Sequence, residues 1–289
     1  RVWRDAAEYS SGSLAIGRWR RAAVLASTRL SDAELAARCF GRLLPLDPGD
    51  PQALAFLAER ARAAGQWPKA RELLERLADS LADASQEERA SLAMRRAEAC
   101  ERGGDLPAAD ERWKLASSLD PAAREPWKAQ KRIALAQARF ADAADEAEEE
   151  ARRVEEAGER AGLLYEAGRL ALERLADPKR AAVRFTEVLS LTPANVSALD
   201  GLEAVLPALE QWEPYARVLR EKAKLLRDPK RRAELLRRAA EVAWEKLDEL
   251  ETAIDDAAAA RTSAPLDDAV IALQEKLFRA GQKWDRLAP

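Results

Sequence analysis

Residues 181–193 read AAVRFTEVLSLTP. A small residue, Ala181, is followed four positions later by a ring, Phe185, and eight further on by Pro193. The chain repeats this cadence at 36–48 (AARCFGRLLPLDP) and 109–121 (ADERWKLASSLDP), and more faintly at 253–265 (AIDDAAAARTSAP). Ala36, Ala109, Ala181 and Ala253 are separated by 73, 72 and 72 residues. Pro48, Pro121, Pro193 and Pro265 keep the same steps, as do Phe40, Trp113, Phe185 and Ala257. So do Trp67, Phe140, Trp212 and Trp284. Four landmarks in one register indicate an internal repeat of about 72 residues.

Each long period divides. Ala70 with Leu74 lies between Ala36 and Ala109, and Ala143 with Ala147 lies between Ala109 and Ala181. The spacings alternate 34, 39, 34, 38, so the unit is one helical hairpin, arranged in unlike pairs. Helices are expected at 19–28 with 32–45, 52–64 with 67–80, 86–102 with 106–118, and 122–137 with 140–157. They continue at 160–175 with 178–191, 194–209 with 212–226 and 230–247 with 250–263, and a last one spans 267–280. Apolar residues fall at helical spacing within them, as in Leu199, Leu202, Val205, Leu206, Leu209. The Asp or Thr before the recurring proline is expected to cap a new helix, with proline at its first position.

Composition agrees with an all-α chain. Of 289 residues, 47% are hydrophobic and 34% charged, and glycine is held to 12. Ala, Leu, Arg and Glu dominate, which favours helix over strand. The absence of histidine removes Ser-His and Cys-His nucleophile pairs, His-containing zinc sites and histidine pH switching. A net charge of -3 exerts no global pull toward nucleic acid or anionic membranes. No apolar run approaches the ~20 residues of a membrane span, and RVWRDAAEYSSGS at the start lacks the apolar core of a signal peptide. Cys39 and Cys100 make no disulfide framework and read as buried packing residues, and a cytoplasmic setting is expected. Heavy Ala and Arg usage with Asn195 as the single asparagine suggests a GC-rich bacterial genome.

The chain resembles a tetratricopeptide-repeat (TPR) array. Trp19, Ala22, Ala23 and Ala26 lead to Ala36-x3-Phe40 and Pro48; Leu54, Leu57, Ala58 and Ala61 lead to Trp67 and Ala70-x3-Leu74. Tyr165, Gly168 and Leu172 lead to Ala181-x3-Phe185 and Pro193. The resemblance covers 19–289 and implies a right-handed α-solenoid of about eight stacked antiparallel hairpins, the last incomplete. Residues 1–18 are expected to be the remainder of a preceding repeat. Small residues such as Ala58, Gly168, Ala70 and Ala181 let helices approach, and Phe40, Trp113 and Phe185 fill the space to the next hairpin. The alternate hairpins depart from the pattern with Lys131, Glu203 and Glu275 where a small residue is wanted. The chain stops at KWDRLAP, where a helix should begin, so a segment of a longer protein is expected.

The resemblance further implies a partner held in a concave groove lined by each hairpin's first helix. Matching positions are Arg62, Glu98, Lys128, Arg132, Glu166 and Asp200. The Asn-and-Lys carboxylate clamp of some TPR proteins is missing, because Asn195, the single asparagine, stands in a turn, so a C-terminal acidic peptide ligand is not favoured. Trp67, Trp212 and Trp284 stand at the start of a second helix and read as packing wedges folded back on the first helix. The basic stretch 217–238 places Arg217, Arg220, Lys224 and Arg227 at i, i+3, i+4 spacing. It is either a solvated face opposite Val218, Leu225 and Leu226 or a docking face for an anionic partner such as RNA. The acidic stretch 142–150, DAADEAEEE, reads as an exposed helix face.

No catalytic, cofactor or metal site is read from the sequence. The expected function is a non-catalytic scaffold or adaptor that binds a partner helix or peptide. Two alternatives stand beside it: a regulatory or sensing segment of an enzyme whose catalytic domain lies outside this chain, and a helical-repeat binder of RNA.

Overall fold

The computed structural model describes residues 2–8, 12–81 and 84–282. Among them it contains sixteen α-helices and no strand. They divide into two compact units, 1–133 and 134–289, with the boundary inside α8.

The first unit holds α1 (Val2–Glu8), α2 (Gly12–Thr28), α3 (Ala33–Leu43), α4 (Pro51–Ala63), α5 (Trp67–Ser80), α6 (Gln86–Arg102), α7 (Leu106–Leu119) and most of α8 (Glu125–Ala136). The second holds the end of α8 with α9 (Phe140–Ala151), α10 (Ala157–Glu173), α11 (Pro178–Leu191), α12 (Val196–Val205), α13 (Trp212–Leu225), α14 (Pro229–Glu245), α15 (Leu250–Ser263) and α16 (Asp268–Ala280). Within each unit, helices pack in consecutive pairs such as α4/α5, α6/α7, α10/α11 and α14/α15, and each pair packs on the next.

One backbone device makes every hairpin. Ser31, Gly65, Gly104, Ala138, Ala176, Glu210 and Asp248 are left-handed, with φ between 50° and 84°. Each stands two residues before its second helix. The next residue's N–H reaches back to the end of the first helix, as in Gln66 N to Ala61 O (2.8 Å) and Glu249 N to Ala243 O (2.8 Å). The left-handed kink thus satisfies carbonyls that the helix end leaves open.

The recurring prolines do a different job from the one expected. Asp120, Thr192 and Ala264 are the C-caps of α7, α11 and α15, with φ from -132° to -138° and ψ from 81° to 86°. That backbone lies outside the α region, which a following proline disfavours. At Pro121, Pro193 and Pro265 the proline therefore closes the preceding helix. The new helix is capped two residues beyond it, by Asp50 on Ala53 N (2.7 Å), Asn195 on Ala198 N (3.0 Å) and Asp267 on Val270 N (3.1 Å).

Other boundaries shift for local reasons. α12 ends at Val205, and Pro207 turns the chain into a short 3-10 segment, Pro207–Leu209, because proline cannot donate within an α-helix. α9 stops at Ala151, short of the expected 157. α2 starts at Gly12, so 12–18 belong to the first hairpin's own helix, and α1 packs on it through Ala7.

The cores lie between neighbouring helices. In the first unit, Phe40 meets Phe56 with ring centroids 5.0 Å apart, and Leu54, Ala58, Ala70 and Leu74 are fully buried. In the second, Leu199, Leu202, Val205 and Leu206 form one buried stripe against Leu219 of α13, and Leu209 is only partly buried. Phe185 is sandwiched there: a Cβ on Gly168 would lie 2.8 Å from its ring, and one on Gly201 would lie 2.5 Å from it. Two glycines on two helices leave the slot that this ring occupies. Cys39 and Cys100 are buried and form no disulfide, and burial pushes the Cys100 thiol above its ordinary value.

Candidate partner-binding surface

The first helices of the first unit carry a row of matched charges. On α4, Glu59 and Arg62 stand one turn apart and ion-pair at 2.7 Å. Arg62 reaches across to Glu98 of α6, and Arg95 of α6 returns to Glu59 at 3.3 Å. One turn beyond Glu98, Glu101 takes Arg132 of α8 through bonds of 2.6 and 2.9 Å and the indole N–H of Trp113 at 3.1 Å. Burial lowers the Arg62 pKa, but Glu98 and Glu59 more than offset it, so the guanidinium sits above its ordinary value. Arg132 is raised too, first by its hydrogen bonds to Glu101. Lys128 is half-buried on α8 and has no ion-pair partner among the described residues. The structure thus brings Arg62 and Glu98 together and places Arg132 beside Glu101, which sequence reasoning missed.

In the second unit, Glu166 lies half-buried on α10. Asp200 of α12 belongs to a separate cluster. Lys222 of α13 pairs with Asp200 at 2.5 Å and with Glu203 at 2.6 Å, and Arg238 of α14 adds a 2.7 Å bond to Glu203. Arg238 also donates to the Tyr215 hydroxyl, and its guanidinium lies 5.8 Å from the Tyr215 ring centroid. Burial pushes Glu203 up, and the bonds from Lys222 and Arg238 outweigh it, holding the carboxylate below the usual glutamate range. This explains a carboxylate where the repeat pattern wants a small residue: it leans out toward two cations. Glu275 pairs with Arg279 of its own helix at 3.6 Å, and Lys131 is half-buried.

The basic stretch does not form one face. Arg217 and Lys224 are exposed and paired locally with Glu213 (3.0 Å) and Glu221 (2.7 Å). Arg227 lies beyond the end of α13, because the helix stops at Leu225. Leu225 itself is exposed, and the apolar side is Tyr215, Val218, Leu219 and Ala223. Arg220 turns inward and donates from Nε to both Asp256 oxygens, at 3.0 and 2.9 Å. Burial raises the Asp256 pKa, with Arg220 opposing it.

That pair has counterparts which sequence reasoning missed. Glu75 lies 3.1 Å from Arg112, and Glu148 lies 3.0 Å from Arg184. Glu75, Glu148 and Arg220 are each the ninth residue of their helix; Arg112, Arg184 and Asp256 are each the seventh of theirs. The third pair therefore keeps the place and reverses the sign. The signal was present as an exchange of charge at matched positions, and only the packing of α13 on its neighbours makes it a pair. Glu148 is buried, as is Glu150, so the acidic stretch is no exposed face: Arg180 and Arg184 cover part of it.

The recurring rings occupy one place as well. Trp67, Phe140 and Trp212 each begin a second helix. Each faces the C-cap of the next hairpin's first helix. A Cβ on Gly103 would lie 3.5 Å from Trp67 Cβ; Arg174 stands 5.1 Å from the Phe140 centroid; Lys246 stands 5.1 Å from that of Trp212. They wedge forward onto the next hairpin, and Phe140 and Trp212 also pack against the clusters that hold Ala134 and Leu206 of their own hairpins. Trp284 lies outside the described residues.

No helix among the described residues is long and apolar enough to cross a membrane, and no group of three or more Cys, Asp or Glu there is placed to hold a metal ion. No family model matches the sequence, and no curated protein matches it. Solved structures do. YrrB, a TPR protein with an unusual peptide-binding site, is 17% identical over 65% of this chain and 93% of its own, with a TM-score of 0.37. The C-terminal part of a TPR repeat-containing protein from Cytophaga hutchinsonii is 14% identical over 88% of this chain and 98% of its own, with a TM-score of 0.45. The TPR2AB domain of yeast Sti1, solved with pHSP90, is 16% identical over 92% and 99%, also with a TM-score of 0.45. Likeness at this level does not reach the function of any of them. The chain is an all-helical array of consecutive hairpins, similar to tetratricopeptide-repeat structures.

Proposed function

We propose that the chain is a protein-interaction scaffold, and that its first helices receive a helix or extended peptide from a partner protein. The observation that carries this reading is the charge row Glu59, Arg62, Glu98, Glu101 and Arg132, which crosses α4, α6 and α8 on one side. Ion pairs between neighbouring helices hold these side chains in place before a ligand arrives, which reduces the ordering entropy of binding. Lys128 stands beside the row with its charge unmatched. Glu166 and Asp200 are the proposed counterparts in the second unit. The RNA reading loses support because Arg220 is committed to Asp256 and Arg227 leaves the helix.

Affinity capture from the native cell, with identification of what is retained, tests the proposal. Retention should fall for Glu98→Lys and for Lys128→Glu and persist for Arg217→Glu with Lys224→Glu. If the latter pair abolishes retention, or if retained material is nucleic acid released steeply by salt, the first-helix reading is wrong.

A further inference from the structure

A second surface lies on the side of α3 and α5. A cleft of about 530 Å³ lies between α3, α4 and α5. Its rim carries Arg38, Arg60, Lys69 and Arg76 against a single acid, Glu72. Its floor is apolar, with Leu44, Leu57 and Leu73. The chain as a whole is acidic, with net charge -3, and most of its arginines are matched to carboxylates. Arg60 is paired with Glu34, and Arg76 lies 3.9 Å from Glu72. Arg38 and Lys69 are exposed and have no ion-pair partner among the described residues.

Gly41 adds an independent observation. It sits inside α3, where glycine weakens a helix relative to alanine, and a Cβ there would meet nothing within 4 Å. No packing constraint accounts for it. Gly41 and Arg38 also line an adjoining cleft of about 490 Å³ with Glu8, Trp19 and Arg42, so a chain running through both clefts would cross α3 at its bare position.

We infer that this cleft docks an acidic peptide segment that carries an apolar side chain: carboxylates meet Arg38 and Lys69, the apolar group meets the leucine floor, and the peptide backbone passes over Gly41. The leucine floor favours a peptide with an apolar side chain over a polyphosphate backbone or a flat lipid surface, which would leave the floor unused.

The test uses a fluorescein-labelled peptide of Glu and Asp residues around one Leu, read by anisotropy on the full chain. Its Gln/Asn counterpart, a single-stranded oligonucleotide and vesicles containing phosphatidylserine serve as comparisons. The acidic peptide should bind, and Arg38→Glu with Lys69→Glu should weaken it about tenfold or more. Both positions are exposed, so the thermal midpoint should hold. Gly41→Leu should also block binding, whereas Arg217→Glu with Lys224→Glu should not. Equal binding of the Gln/Asn peptide, tighter binding of oligonucleotide or vesicles, or indifference to the Arg38 and Lys69 reversals would overturn the inference. Because none of these residues belongs to the α4–α6–α8 charge row, the result is independent of that surface.

Discussion

Arg220 grips both carboxylate oxygens of Asp256 at the helix positions where Glu75 faces Arg112 and Glu148 faces Arg184, with the signs exchanged. A pair that keeps its place while trading its charges is under one constraint, complementarity. Arg220→Glu alone or Asp256→Arg alone should each cost about 2–3 kcal/mol, since each juxtaposes like charges in a largely buried site. Arg220→Glu combined with Asp256→Arg should recover most of the loss. Urea midpoints of the four proteins measure the coupling, and additive losses would disprove it.

Ala138 and Ala176 are exposed and left-handed, with φ of 55° and 50°. A Cβ in that region costs about 1–2 kcal/mol, part of which glycine returns through its larger unfolded-state entropy. Ala138→Gly and Ala176→Gly should each stabilise the chain by about 0.5–1 kcal/mol. Gly65→Ala, at φ 67°, should do the reverse. Thermal midpoints decide, and a fall for both alanine replacements would show that the turns are relaxed.

Phe185 occupies a slot that Gly168 and Gly201 leave open. Gly201→Ala gains about 1 kcal/mol of helix propensity but overpacks the slot at about 1–3 kcal/mol, so the net effect should be destabilising. Adding Phe185→Leu should restore part of the loss by vacating ring volume. A stabilised Gly201→Ala protein would mean that the ring has room to move.

Glu203 titrates below the usual glutamate range because Lys222 and Arg238 outweigh its burial. A depressed folded value means that the carboxylate stabilises the fold at neutral pH and that this is lost as pH falls through the folded value. The gap in thermal midpoint between the natural chain and Glu203→Gln should therefore be full above about pH 5 and close in stronger acid. A pH-independent gap would assign the loss to shape rather than charge.

Trp67 is half-buried at the joint with Gly103. Trp67→Ala should lower stability by about 1–2 kcal/mol, less than for a fully enclosed ring. It should leave partner retention intact below the melting temperature. An unchanged midpoint with lost retention would make the ring a contact residue.

Much of this was legible beforehand in particular residues. Ala181 and Phe185 announced close helix approach and a filling ring, and Phe185 is buried as their spacing required. The hairpin order follows from glycine and proline punctuation and from apolar residues recurring at 3.6-residue spacing. Caps were misplaced by three residues because a polar residue before proline signals both the end of one helix and the approach to another; Asp50 and Asn195, not Asp47 and Thr192, hold the new N–H groups.

The charged residues were another matter. Helical spacing puts Arg217, Arg220 and Lys224 near one another along a helix, yet Arg220 leaves that company for Asp256, 36 residues away. Glu98 finds Arg62 of the previous hairpin in the same way. Local sequence determined the helices, their turns and the small-and-large alternation, because backbone hydrogen bonds and side-chain volume act within a few residues. Only the tertiary structure decided which charges are matched and which, like Arg38 and Lys69, are left facing solvent. A long side chain chooses its partner by which helices stack beside it, and that distance is not written in the spacing along the chain.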